Sequence, residues 1–151
     1  MIDTTASARA FLTSHSLGVL STLSPEGTPR ARTMYYAADD HFNVFFITTS
    51  GTRKVTDIAH RAVAAFVVSN EDGPQTMQIE GTITDCTDTA TIDPVTLNLL
   101  DTLRARGEHF APVTHLDMNG IRFYKLTPSW VCWGDFMRGQ GTDAVLVEIP
   151  L

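Results

Sequence analysis

Between Leu17 and Thr48 the chain runs through three strand-like segments with no room for a helix between them. Leu17 to Leu23 ends at Ser24-Pro25-Glu26-Gly27, with Pro and Gly where a tight reversal wants them. Arg30 to Ala37 alternates as a half-buried strand does, and Ala38-Asp39-Asp40-His41 turns the chain into Phe42 to Thr48. Parallel neighbours need a crossover of about a dozen residues, so the three segments read as an antiparallel meander. A doubly wound sheet is excluded at this end of the chain.

The remaining pattern extends that reading. Asp3 or Thr4 caps a helix through His15, with Ala8, Phe11 and Leu12 on its apolar face. Thr52 is the N-cap of a second helix through about His60, with Val55, Ile58 and Ala59 facing inward. Val63 to Val68 is a continuous apolar β run, and Thr76 to Thr84 is a long alternating strand in which Gly81 marks a bulge or bend. Asp93-Pro94 opens a third helix that runs to Arg106, with Gly107 as its stop and a loop to Asn119. Ile121 to Leu126 and Ser129 to Cys132 read as two strands split by Pro128. The segment Gly134 to Gly141 leads to Val145–Ile149, either a last strand or a segment laid on a partner chain. With no repeat and no linker, residues 1–151 form one domain. About six strands and three short helices, out of βαβ alternation, predict a mainly β (α+β) fold: a closed antiparallel barrel with helical insertions.

Charge and composition exclude several functions. A formal net charge of −6 argues against a general nucleic-acid or anionic-membrane binder, which needs a basic face. No apolar run reaches membrane-spanning length, and the N-terminal residues lack the order of a secretion signal. Cys86 and Cys132 match no disulfide framework or metal knuckle, so a cytoplasmic setting with free thiols is expected. The five histidines (15, 41, 60, 109 and 115) have no metal-ligand spacing, and no metal site is expected. A Gly-x-Ser-x-Gly elbow and the Walker and Rossmann glycine patterns are also missing.

What remains is Phe45-Phe46-Ile47-Thr48-Thr49-Ser50-Gly51-Thr52-Arg53-Lys54, a strand that enters a hydroxyl-rich turn and then a helix opened by two cations. Free N–H groups at a helix start, hydroxyls and cations together suit a phosphate. The competing reading is a surface turn with solvated charges. Arg30 and Arg32 would join Arg53 and Lys54 if the fold brings them together; otherwise Arg32 is an exposed strand residue paired with a carboxylate. Trp130, Trp133 and Phe136 suit either a planar ring system or core packing.

The order Gly18-Val-Leu-Ser-Thr-Leu23, Gly27-Thr-Pro-Arg-Ala-Arg32, Phe46-Ile-Thr-Thr-Ser-Gly-Thr-Arg-Lys54 and Gln78-Ile-Glu-Gly81 resembles the pyridoxamine 5'-phosphate oxidase-like, FMN-binding split-barrel family. The short general-stress-protein type is most similar, and the resemblance runs from about residue 5 to 136. It implies a six-stranded antiparallel split β-barrel with short helices, and a homodimer with two FMN sites at the subunit interface. The family's phosphate-holding Arg, Thr and Ser/Thr-Arg-Lys turn fall on Arg32, Thr48, Thr52, Arg53 and Lys54. The resemblance also implies that Thr33 and Met34 run along the flavin with their backbone and that Thr49 extends the turn. The family's Gln facing the flavin falls on Thr76 by strict spacing, with Gln75 or Gln78 as near substitutes and Gln78 taken as the candidate, and Trp133 or Trp130 approaches from the second subunit.

Such a protein is an FMN-dependent oxidoreductase with a small-molecule substrate or electron donor. The alternatives within the resemblance are a non-catalytic flavin sensor or store, or the same fold holding a deazaflavin or haem. True oxidases of the family carry a Lys five positions after the strand Arg, where this chain has Ala37, and residues 93–115 show nothing like their substrate-phosphate set. A true pyridoxamine 5'-phosphate oxidase is therefore not expected.

Overall fold

The computed structural model of the protein describes residues 3–87, 120–137 and 146–151. The expected helix from Asp93 to Arg106, the loop to Asn119 and residues 138–141 of the Gly134–Gly141 segment lie outside the described residues. Helix α1 (Thr4–Ser14) starts at Asp3, whose carboxylate accepts from the Ala6 N–H at 3.1 Å. It buries Ala8, Phe11 and Leu12, the expected face.

Eight strands follow: β1 (Leu17–Leu23), β2 (Pro29–Tyr35), β3 (Ala37–Ala38), β4 (Val44–Thr49), β5 (Val63–Ser69), β6 (Gln75–Asp85), β7 (Ile121–Asp135) and β8 (Leu146–Glu148). Helix α2 (Arg53–His60) lies between β4 and β5. The sheet order is β2-β1-β5-β6-β7-β4-β3, and each ladder is antiparallel. β2 and β3 stand at opposite ends of this path, yet they are one chain segment broken only at Tyr36. The sheet therefore curls round on itself as a split barrel. The count exceeds the expected six because the Pro29–Ala38 segment is divided at Tyr36 and β8 is added.

Two expectations need correction. The first three strands are not a simple meander: β2 pairs β1, whereas β4 pairs β3 and β7. The reason lies in β4 itself, whose residues Val44 to Thr48 are all buried. A strand apolar on both faces sits inside a sheet and not at the edge of a hairpin. Second, the two strands flanking Pro128 are a single strand, β7. The β6–β7 register shifts at Glu80/Gly81, so that Glu80 faces Trp130, Gly81 faces Pro128 and Ser129 is the extra residue. Proline is tolerated there because a bulge leaves a ladder position without an N–H to supply. The bulge expected at Gly81 is present. β8 pairs with β7 of its own chain, which settles its two readings in favour of a last strand.

Pleating sorts the core. Leu20, Phe66, Ile79 and Val131 form one row across β1, β5, β6 and β7, each at most 1% exposed. Burying such a side chain contributes about 1.5–3 kcal/mol. Tyr36 sits at the break between β2 and β3, buried, and donates its hydroxyl to the Leu12 carbonyl at 2.7 Å. Burial pushes that phenol's pKa well above its ordinary value. The adjoining row, Thr33, Val19, Val67, Gln78 and Cys132, crosses the outer face. There Val19 and Val67 are exposed, as are Leu17, Val63, Leu146 and Val147 elsewhere in the sheet.

Candidate functional site

Two elements deliver the cations. On β2, alternation puts Arg30 and Arg32 opposite Thr22 and Leu20 of β1, on the inward face near the rim of the barrel. On α2, the first two residues are Arg53 and Lys54. The chain reaches that helix through Gly51, whose φ of +85° a side chain would strain. Thr52 is the N-cap as expected, but its hydroxyl donates back to the Thr49 carbonyl at 3.1 Å and forms no cap bond. The start of α2 therefore lacks a side-chain acceptor.

Between the two elements sits Asp57, fully buried on α2. Its Oδ1 accepts from Arg30 Nη1 at 2.8 Å. Its Oδ2 accepts from the Thr22 hydroxyl at 2.9 Å and pairs with Arg32 Nη2 at 3.5 Å. Arg32 Nη1 in turn donates to Thr22 Oγ1 at 2.6 Å. Lys54 points the other way and donates from Nζ to Thr48 Oγ1 at 2.8 Å, where Thr48 is itself buried. Two of the four cations thus pair with one carboxylate, and the charges of Arg53 and Lys54 lie within reach of Arg32.

That imbalance is felt by the groups themselves. Burial lowers the pKa of Arg32, Asp57 opposes this, and the neighbouring Arg53 and Arg30 lower it further. Lys54 is also pushed below the ordinary lysine value, chiefly by burial and then by the charge of Arg32. Desolvated cations crowding one another are relieved by an added anion.

A pH dependence follows from Lys54. In the empty protein its folded pKa lies below the unfolded 10.5, so between the two the unfolded chain binds more protons. Stability of the empty protein should therefore rise with pH through that window. An anion that restores the charged amine reverses the sign: its affinity should fall as pH rises through the depressed value, and fall again below about pH 6 where a phosphate monoester loses its second charge. Isothermal titrations with FMN across this range check both limbs.

The other expected residues are placed as follows. Thr33 is exposed on the outer face, while Met34 points inward and packs against the core. β2 pairs only with β1, so its far edge has no ladder partner among the described residues. Gln78 lies on the outer row between Val67 and Cys132, away from the cation cluster. Trp133 is buried against Phe11, ring centroids 4.9 Å apart, and is not brought to the cluster. Trp130 is partly exposed opposite Glu80. Ala37 lies in β3 beside the buried Phe45 and Ile47. A cleft of about 350 Å³ opens between the end of β1 and the start of β5, and it shares Thr22 with the cluster.

Asp57 was missed, because the helix was expected to turn Val55, Ile58 and Ala59 inward. Ile58 is buried and Val55 partly so, but Ala59 is exposed and Asp57 takes its place. Lys54 and Asp57 share a helix face at a spacing of three, which was the available signal. Arg122 was missed as well; it stands directly opposite Thr48 and pairs with Asp85 at 3.4 Å. Nothing in its local sequence marks it. Among the described residues no His, Cys, Asp and Glu cluster could hold a metal, and no helix is long and apolar enough to cross a membrane.

The fold is a split barrel in which two arginines of β2 meet the cationic start of α2. Residues 4–131 match the family model described as pyridoxamine 5'-phosphate oxidase, and the chain belongs to that oxidase-like split-barrel family. None of the curated proteins matches it. Similar solved structures include a pyridoxamine 5'-phosphate oxidase-related, FMN-binding protein from Nostoc punctiforme (15% identity, 97% of this chain and 93% of that one, TM-score 0.60). An F420 reductase is 22% identical over 87% of this chain and 98% of its own, with a TM-score of 0.64. A heme-binding protein from Mycobacterium smegmatis is 17% identical over 99% of this chain and 59% of its own, with a TM-score of 0.68. At these identities the likeness establishes the fold.

Proposed function

We propose that the protein is a cytoplasmic, homodimeric flavoprotein that binds FMN at the subunit interface and serves as an oxidoreductase for a small molecule. The observation that carries the reading is that Arg30, Arg32, Arg53 and Lys54 come within one another's electrostatic reach at a helix start without a side-chain cap, with Asp57 the carboxylate that pairs two of them. A phosphate monoester, with two negative charges, offsets more of that excess than a phosphodiester with one. This favours FMN over a deazaflavin joined to its tail through a diester.

Within the reading, Arg32, Arg53 and Lys54 hold the phosphate, with Thr48 and Thr52 fixing Lys54 and the turn and Thr49 extending it. The open edge of β2 offers main-chain groups of Thr33 and Met34 to a planar ring. Bound FMN would supply reversible one- and two-electron redox chemistry. Gln78 and the exposed apolar outer face would meet a second copy, since a two-fold contact covers the same patch on both subunits. On this face Trp130, and not the buried Trp133, has surface to offer a partner's ligand.

A second reading keeps the flavin but not turnover, and it rests on Ala37 standing where the family's oxidases carry a lysine. An absorbance spectrum of the purified protein, with mass analysis of the released ligand and light scattering, tests the proposal. Flavin absorbance, FMN mass and a dimer are expected. A colourless monomer indifferent to added FMN sinks it. Reduction by a nicotinamide followed by turnover with an acceptor separates enzyme from store.

A further inference from the structure

The geometry points to Asp57 as a positioning residue for the anion site: it fixes Arg30 and Arg32 in the direction of the ligand while leaving most of their donors without a partner among the described residues. The inference rests on the phosphate reading above and adds to it a residue that touches no ligand.

Asp57 is fully buried, and an isolated carboxylate there would be costly unless paired. Its carboxylate oxygens accept from Thr22 of β1 and from Arg30 and Arg32 of β2. Asp57 itself belongs to α2, which carries Arg53 and Lys54 one turn earlier. One side chain therefore joins the two halves of the site, the hairpin with two arginines and the helix with the other two cations. Thr22 completes the link by accepting from Arg32 Nη1 at 2.6 Å and donating to Asp57 Oδ2 at 2.9 Å.

A guanidinium has five N–H donors. Arg30 gives Asp57 one of them at 2.8 Å, and Arg32 gives one at 3.5 Å and a second to Thr22. The carboxylate therefore orients both forks without using them up. Two consequences oppose each other. As a charge, Asp57 weakens attraction for an anion; as an anchor, it keeps two long, rotamer-rich side chains from wandering. Holding such a side chain in advance avoids an ordering cost at the moment of binding. The inference is that anchoring wins.

The opposition makes the test one of sign. Asp57→Asn preserves shape and removes one negative charge from the cluster. Were the carboxylate only a counter-charge, the variant would bind FMN and inorganic phosphate more tightly. Positioning predicts weaker binding of both, by roughly 10–100-fold, as when an outer-shell partner of a metal ligand is removed. Riboflavin, which has the same ring and no phosphate, should bind wild type and variant within about twofold, because no phosphate contact is at stake.

Thr22→Val supplies a second route, since it removes the Arg32–Thr22–Asp57 link and leaves the charge unchanged. It too should weaken FMN relative to riboflavin. Titration calorimetry on both full-length variants gives these ratios, and thermal unfolding without ligand shows whether each is folded. FMN and phosphate binding that is unchanged or tighter in Asp57→Asn overturns the positioning role. So does an equal loss for riboflavin and FMN in both variants, which marks general loosening. Wild type that ignores FMN and inorganic phosphate alike overturns the phosphate reading itself, and the two failures are thereby told apart.

Discussion

The variant Arg53→Ala/Lys54→Ala should bind FMN about 10²–10⁴-fold more weakly than wild type, if each lost charge-assisted bond contributes about 1.5–3 kcal/mol. Lys54 carries the larger share. It is partly buried, aimed by Thr48 at 2.8 Å and depressed in pKa by burial and by Arg32, so its charge is poorly screened and poorly satisfied without a ligand. Arg53 is exposed, and its contribution is correspondingly smaller and more sensitive to salt. Little stability is lost with them, because neither side chain packs in the core and the empty cluster sheds like-charge repulsion. Quenching of flavin fluorescence on titration measures the affinity, and thermal unfolding without ligand should show a midpoint equal to or above wild type. Affinity equal to wild type would move the phosphate site off the start of α2.

Much of that site was legible because its parts are local. The turn from Thr48 to Lys54 is contiguous, and Gly51 and Thr52 announce the reversal and the helix start on their own. Alternation set Arg32 on the same face of its strand as Arg30 but left open whether that face is exposed, and the structure puts it opposite Leu20. Asp57 was harder. Periodicity assigns an acidic residue to the solvent side, and only the arrival of Arg30 and Arg32 from another element makes its burial tolerable. A buried charge is a property of the tertiary fold and leaves almost no trace in the helix that carries it.

The same distinction governs the fold. Helix α1 and strand β1 follow from nearby residues, and both were placed within a residue of where they occur. Which strands pair does not follow from nearby residues. β4 and β7 are joined from Val44↔Leu126 to Thr49↔Ile121, across about half the chain, and no turn specifies that register. The uninterrupted burial from Val44 to Thr48 was the available hint that this strand needs a neighbour on each side. Proline misled at position 128 because its cost depends on whether the partner strand wants an N–H there, and the bulge removes that demand.

Gly81→Ala tests the bulge directly and should be the most damaging single methyl in the described chain. A Cβ at Gly81 would overlap the Thr127 carbonyl oxygen and lie only 2.9 Å from the Thr127 carbonyl carbon and 3.0 Å from Pro128 Cα. All three are backbone atoms of β7, so no side chain can swing aside. Relief requires β6 and β7 to separate along the ladder that runs from Gln75↔Asp135 to Asp85↔Tyr124, and the buried row of Ile79 and Val131 separates with it. Overpacking costs about 1–3 kcal/mol where side chains can adjust, so a loss above about 3 kcal/mol is expected here. For a chain of this size that lowers the unfolding midpoint by about 6–12 °C. Gly51→Ala is the control, since its φ of +85° is unfavourable for a side chain but a methyl there meets nothing within 4 Å. It should cost only about 1–2 kcal/mol of backbone strain. Thermal and urea unfolding of the two variants without flavin decide the matter. If Gly81→Ala proves no worse than Gly51→Ala, the two strands have more freedom at the bulge than their close approach allows.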